Sequence, residues 1–292
     1  MDIGIIGGGA IGLLFASYLS KQANITVYTN RKEQADLLNK EGILLLNGTE
    51  RSLHRIHASN SNQYKEQMII VTVKQYQLEP VVMALASEKG KQILFLQNGM
   101  GHLEMLHALE GNEVYVGTVE HGAKKEAEGV VKHNGSGETR ISLFLGQGQK
   151  NIHTMLPENE AFPIVLKDDW QSLLERKLLV NACINPLTAL LRVPNGMLIE
   201  NTYYYQLMKS IYDEAIQVLN SNKSDMSFKV VEQVCMSTSS NHSSMLQDIE
   251  LEQGRNTEVD AIIGYLLGEA EKKKIHVPVL HFLLKAIKGI SA

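Results

Sequence analysis

The chain of 292 residues has room for two domains at roughly 150 residues each, and either half can bury a core without a disulfide or a structural metal. Its 28 lysines and arginines against 32 aspartates and glutamates leave a formal charge of −4, which argues against nucleic acid or an anionic membrane as the main partner. The two cysteines, Cys183 and Cys235, stand far apart with no Cys-x-x-Cys or Cys/His ligand spacing; they read as reduced thiols of a cytoplasmic protein and give no metal site.

In chain order, Asp2–Ile6 reads as a short buried strand, Ala10–Gln22 as a helix and Asn24–Tyr28 as a second strand. Arg31–Lys40 is helical. Ile43–Asn47 and Ser52–Ala58 form a strand pair around Asn47-Gly48. Strands at Gln67–Val73, Gln92–Leu96 and Glu113–Val119 enclose helices at Gln77–Glu88 and Gly101–Leu109. Short β-branched runs separated by helices predict βαβ units and a parallel sheet. Gly129–Asn134 and Thr139–Leu145, joined by Gly-Ser-Gly, predict an antiparallel extension of that sheet. The pattern changes over Asn151–Lys167. Beyond Asp168 helices are expected at Trp170–Ile184, Asn201–Ser221, Phe228–Ser237, Ser243–Glu252, Thr257–Lys273 and Val279–Ile290. The fold class expected is α/β, with a Rossmann-type dinucleotide-binding domain over 1–167 and an all-helical domain over 168–292. The apolar N-terminus has no basic leader region, carries Asp2 and is split by five glycines, unlike a signal peptide. No apolar run reaches the ~18 residues of a membrane span.

The first strand runs into Gly7-Gly8-Gly9-Ala10-Ile11-Gly12 and then a helix, which is G-x-G-x-x-G in the context that gives it meaning. Gly7 permits the tight turn, Gly9 lets a pyrophosphate approach the backbone, and Gly12 lets helix and strand pack closely. The N–H groups at the helix start then face the phosphates. An NAD site places an acid about 20 residues further on. Here the second strand ends in Tyr28-Thr29-Asn30-Arg31-Lys32, with no acid before Glu33. Arg31 suits a 2′-phosphate, so the cofactor expected is NADP(H).

In the second half, Lys177, Asn181 and Asn185 recur at i, i+4 and i+8 within a mostly apolar helix, so they line one face. Pro186 is expected to kink or end that helix. Buried polar groups need partners, and these three read either as a structural seam or as donors toward a polar substrate, with Lys177 as proton donor. Ser244 and Asp248 share a face at i, i+4, and Glu258 opens the next helix; each also reads as ordinary helix-start chemistry.

Taken together, these stretches resemble the ketopantoate reductase family over nearly the whole chain. The likeness rests on the glycine turn, Val71-Thr72-Val73-Lys74 and Gln97-Asn98-Gly99-Met100-Gly101. It continues through Arg176-Lys177-Leu178, Asn181, Ile184-Asn185-Pro186-Leu187-Thr188-Ala189 and Pro194-Asn195-Gly196. It ends with Ser243-Ser244-Met245-Leu246-Gln247-Asp248 and Thr257-Glu258-Val259-Asp260. The resemblance implies an oxidoreductase of pantothenate and coenzyme A biosynthesis that reduces the ketone of 2-dehydropantoate to (R)-pantoate with NADPH. It implies Lys177 and Glu258 as catalytic residues, and Asn98, Asn181, Asn185, Asn195 and Ser244 as substrate contacts. It implies Gly7, Gly8, Gly9, Ala10, Ile11, Gly12, Arg31, Lys74, Asn98, Ala123 and Glu258 around the cofactor. Glu120-His121-Gly122-Ala123 keeps only part of the family pattern, and nothing is carried over beyond Asp260. A keto acid is thus the partner expected. A homodimer is compatible with the chain, though no residue pattern selects it. Two other readings are a reductase of a different 2-keto acid and a non-catalytic NADPH sensor, which would lack the Lys177/Glu258 pair.

Overall fold

The computed structural model describes residues 1–148, 152, 156, 159–219, 224–251 and 257–291. The chain divides into two compact units, one of Met1–Gln97 with His102–Leu173, the other of Asn98–Gly101 with Leu174–Ala292. Among the described residues no helix is long and apolar enough to cross a membrane.

The first unit is α/β. Its strands are β1 (Asp2–Ile6), β2 (Asn24–Tyr28), β3 (Ile43–Asn47), β4 (Glu50–His54), β5 (His57–Ser59), β6 (Met68–Val71), β7 (Gln92–Phe95), β8 (Glu113–Val119), β9 (Gly122–Ala127), β10 (Val130–Gly135), β11 (Thr139–Leu145) and β12 (Ile164–Lys167). Helices α1 (Ala10–Leu19), α2 (Lys32–Glu41), α3 (Leu78–Ala86) and α4 (Leu103–Leu106) lie between them. The main sheet has eight strands in the order β12-β11-β8-β7-β6-β1-β2-β5. Ile3 to Ile6 of β1 and all of β6 and β7 are buried, as strands covered on both faces must be. From β1 the chain steps to β2 on one side and later to β6 on the other, pairing Ile3 with Ile25 and with Met68. That reversal is where open α/β sheets hold ligands, beyond the carboxyl ends of the strands.

A second sheet, β4-β3-β10-β9, lies against the other side of α1, which packs on β1, β2, β3, β9 and β10. This explains why α1 is apolar all round: every residue from Gly12 to Leu19 is buried. Phe162 closes that core, stacked on Tyr18 at 4.5 Å and on His121 at 4.2 Å.

Two strand expectations are corrected here. Ser52–Ala58 is not one strand: β4 pairs with β3 in the second sheet, while β5 crosses to pair with β2, Thr26 opposite His57. The Asn39 amide fixes β5 by exchanging two 2.8 Å hydrogen bonds with the Ala58 backbone. Nor do the two segments flanking Gly-Ser-Gly extend one sheet together. β11 runs antiparallel to β8 in the main sheet, whereas β10 pairs with β9 and β3 in the second. β9, with sequence Gly-Ala-Lys-Lys-Glu-Ala, carries no β-branched residue and gave no strand signal.

The second unit is helical: α5 (Trp170–Leu191, from Leu174 onward), α6 (Met197–Glu200), α7 (Thr202–Leu219), α8 (Phe228–Ser237), α9 (Ser244–Leu251), a π-helical stretch Asp260–Gly264, α10 (Tyr265–Lys273) and α11 (Pro278–Ser291). Pro186 does not end α5, which runs five residues further. The proline ring removes one backbone donor, and Thr188 Oγ1 lies 2.8 Å from Ile184 O and 3.1 Å from Asn185 O, where its one proton can be donated to a carbonyl of the same turn. The expected helix Thr257–Lys273 is broken in character by the π stretch. The ends of two others, 220–221 and 252, lie outside the described residues. Glu214 of α7 caps α11, accepting from Val279 N at 3.0 Å and Leu280 N at 2.9 Å, with Pro278 at the first helical position.

Candidate active site

The glycine turn follows from its sterics. Gly7 has φ +122°, a left-handed conformation that favours glycine. A Cβ on Gly12 would lie 1.9 Å from Gly7 O, so only glycine lets α1 start this close to β1. Thr72, just past β6, pins the turn with Oγ1 3.0 Å from Ile6 O and 3.2 Å from Gly7 O. Gly9 differs: a Cβ there meets nothing within 4 Å. The first turn of α1 has no side-chain cap and no acidic residue, and its leading N–H groups have no intrahelical acceptor. A pyrophosphate fits such a cradle by charge and by access. Three neighbouring strands, β1, β2 and β6, thus bring the turn, Arg31 and Lys74 to one edge of the sheet.

Arg31 is half-exposed and already paired. Its guanidinium donates to Glu128, which also accepts from Lys125 Nζ at 2.9 Å. Burial alone would raise the Glu128 carboxyl, but the hydrogen bonds from Arg31 and Lys125 outweigh it and hold the carboxyl below its usual range. Gln34 of α2 ties this corner to the glycine turn, donating to Gly8 O at 2.8 Å and to Glu128 O at 3.2 Å.

In the helical unit, Asn181 and Asn185 are 7% and 9% exposed, and Lys177 is partly buried on the same stretch of α5. The Asn181 side chain makes no hydrogen bond to another described residue, and its amide keeps some contact with solvent. Asn185 Nδ2 reaches Ser244 Oγ at 3.5 Å. Ser243, not Ser244, caps α9: its Oγ accepts from Leu246 N at 3.2 Å and lies 2.8 Å from Thr188 Oγ1. Ser244 is left exposed at the helix start. Glu258 is buried, and Asn98 Nδ2 donates to its Oε2 at 2.9 Å. The segment Asn98–Gly101 belongs to this unit because Gly99, at φ +78°, lies so close to Ala261 that a Cβ would sit 2.1 Å from its carbonyl oxygen.

Two family models match consecutive parts of the chain: "Ketopantoate reductase PanE/ApbA" over residues 3–146 and "Ketopantoate reductase PanE/ApbA C terminal" over 169–291. The chain belongs to the ketopantoate reductase family. It is 43% identical to the 2-dehydropantoate 2-reductase of Bacillus subtilis over 99% of this chain and 97% of that protein. It is 39% identical to the Listeria innocua 2-dehydropantoate 2-reductase, over the same shares of each. The crystal structure of the probable 2-dehydropantoate 2-reductase from B. subtilis superposes with a TM-score of 0.90 at 42% identity, over 99% of this chain and all of that one. D-mandelate dehydrogenase, solved with NADH and anilino(oxo)acetate, shares the fold at a TM-score of 0.87 and 22% identity, covering 100% and 98% of the two chains.

Of the residues that family resemblance singles out, the structure pairs Asn98 with Glu258 and Asn185 with Ser244, and sets Lys177, Asn181 and Asn185 along one helix. Asn195 stands apart from them: its Nδ2 donates to Thr238 at 2.9 Å, and its buried Oδ1 has no partner among the described residues. Ala123 lies at the start of β9, opposite His133. Sequence reasoning missed Gln34, Lys125 and Glu128, which adjoin the glycine turn or Arg31. No spacing rule joins Glu128 to an arginine 97 residues earlier.

Proposed function

We propose that this chain reduces 2-dehydropantoate to (R)-pantoate with NADPH, in the cytoplasm, as a step of pantothenate and coenzyme A biosynthesis. The observation that carries the reading is the 43% identity to a 2-dehydropantoate 2-reductase along 99% of the chain. The two free, buried thiols fit a reducing compartment.

In this reading residues 1–167 bind the dinucleotide and residues 168–292 supply the chemistry. The backbone of Gly7–Gly12 takes the pyrophosphate, and Arg31 and Lys74 take the 2′-phosphate. Ala123 contributes through its backbone. A bound nicotinamide supplies hydride to the ketone carbon. The Lys177 ammonium stabilises the oxygen as charge develops there and then delivers the proton. The amides of Asn181 and Asn185 and the Ser244 hydroxyl hold the substrate by neutral hydrogen bonds, and Asn195 completes the polar lining. Asn98 fixes one oxygen of Glu258, so that the carboxylate has a set direction in which to accept from the substrate hydroxyl. A site that hydrogen-bonds that hydroxyl rejects keto acids that lack it.

The test is loss of NADPH absorbance with 2-dehydropantoate beside a panel of 2-keto acids without the hydroxyl. 2-Dehydropantoate is expected to give the highest kcat/KM, and a different preferred keto acid would overturn the substrate assignment. Lys177→Ala is expected to lower kcat by roughly 10²–10⁴-fold with NADPH affinity retained. An unchanged kcat removes Lys177 from the chemistry.

A further inference from the structure

Glu128 occupies the very cation that cofactor choice depends on. It sits in the two-residue turn between β9 and β10, a hairpin that is held from three sides. Gln34 Nε2 binds Glu128 O, Leu44 N donates to Gly129 O at 2.8 Å, and β10 pairs along β3. The same Gln34 amide binds Gly8 O in the glycine turn. The backbone of the turn is therefore held by the fold, which places the Glu128 side chain within reach of Arg31 while leaving it free to rotate. With Lys125 it forms a cluster of two cations and one anion. A 2′-phosphate carries about −1.5 to −2 at neutral pH, so it attracts the two cations and repels the carboxylate.

We propose that Glu128 is a specificity-determining residue: it competes with the cofactor's 2′-phosphate for Arg31 and Lys125 and so sets how strongly NADPH is preferred over NADH. The proposal rests on the reading of Arg31 as the 2′-phosphate partner. On binding, the guanidinium and ammonium exchange a carboxylate for a phosphate, and Glu128 turns outward to solvent, which its partial exposure allows. Lys125 becomes a phosphate ligand that the strand's ordinary appearance conceals.

The experiment is titration calorimetry of the full-length protein with NADP⁺ and with NAD⁺, for wild type, Glu128→Gln, Lys125→Gln and Arg31→Ala. An exposed ion pair is worth roughly a two- to fivefold factor, and two must break, so Glu128→Gln is expected to lower the Kd for NADP⁺ about four- to twenty-five-fold while that for NAD⁺ stays within about twofold. Lys125→Gln is expected to raise the NADP⁺ Kd a few-fold with the same indifference to NAD⁺. A purely structural role for the hairpin would move both ligands together, and that result overturns the proposal. Weakening of NAD⁺ alone in Glu128→Gln would make the carboxylate a ribose partner instead and also overturns it. If Arg31→Ala weakens NADP⁺ selectively but Glu128→Gln has no effect, only the competition fails. If Arg31→Ala weakens neither ligand selectively, the assignment of Arg31 itself falls, and the proposal with it.

Discussion

Two glycines of one turn have opposite reasons to be glycine, and alanine at each separates folding from binding. At Gly12 the new Cβ would lie 1.9 Å from Gly7 O and 2.7 Å from Thr72 Oγ1. Carbon and oxygen rarely approach within ~3.3 Å, so α1 must back away from β1 by more than about 1 Å. Overpacking of this kind costs about 1–3 kcal/mol. At roughly 2–4 °C per kcal/mol for a unit of this size, Gly12→Ala should melt about 2–12 °C below wild type. At Gly9 the Cβ meets nothing within 4 Å, and the backbone at φ −84°, ψ −173° is extended and open to any residue. The unfolded-state gain of ~0.4–1 kcal/mol for Gly→Ala offsets the weaker helix-capping of alanine, so the Tm of Gly9→Ala should stay within about 3 °C. Its methyl group instead stands where the pyrophosphate must come. Two lost charge-assisted hydrogen bonds at ~1.5 kcal/mol each amount to about 3 kcal/mol, or roughly a 100-fold weaker Kd for NADP⁺. Thermal melts followed by circular dichroism, with calorimetric titration of NADP⁺, give both numbers. Wild-type affinity in Gly9→Ala would remove the pyrophosphate from this turn, and a wild-type melt in Gly12→Ala would refute the steric account.

Two further outcomes follow from the geometry. Thr188 is wholly buried and lies between the Ile184 carbonyl and the Ser243 cap, so Thr188→Val, which keeps the shape, should cost about 1–3 kcal/mol, read as a Tm lower by roughly 2–12 °C; an unchanged Tm would show that the helix passes the proline without this support. Burial pushes the His102 imidazole down to about 4, so the folded state keeps it neutral where the unfolded chain, near 6.5, takes up a proton. The unfolded state then binds more protons between these values, and stability falls as pH drops from about 6.5 to about 4. Whatever its own baseline, His102→Met should lose less stability over that interval in urea titrations, and an equal loss would assign the acid sensitivity to other groups.

What the sequence made legible was local. β1, the glycine turn, α1 and β2 came from an apolar run meeting glycines, and the burial of Ile3–Ile6 and Gly12–Leu19 repeats that pattern. The polar face of α5 was readable because i, i+4 spacing is a property of one helix. What was not legible depended on distant partners. Ser52–Ala58 looked continuous, but its two halves answer to different strands, β3 and β2. β9 is a strand because β10 pairs with it, not because of its own residues. Pro186 signalled a kink or an end, yet the helix runs on to Leu191, with Thr188 hydrogen-bonded to the Ile184 carbonyl and to Ser243 just beyond the proline. Ser244 looked like a cap until its neighbour Ser243 was seen doing that work, which leaves Ser244 as the residue able to face a ligand.

Cofactor preference shows the same division most sharply. The residues after β2 decide it by a local rule: an acid there accepts from a ribose hydroxyl, while an arginine receives a phosphate. That rule sees Arg31 and stops. The second sheet returns an acid beside Arg31 from residue 128 and sets Lys125 next to it. The charge that a phosphate meets is therefore the sum over the cluster, about one positive charge rather than two. A chain with Arg31 and a neutral residue at 128 would present twice the charge at the same position. Under the proposed competition, the residue at position 31 alone does not set discrimination, and the turn between β9 and β10 contributes to it.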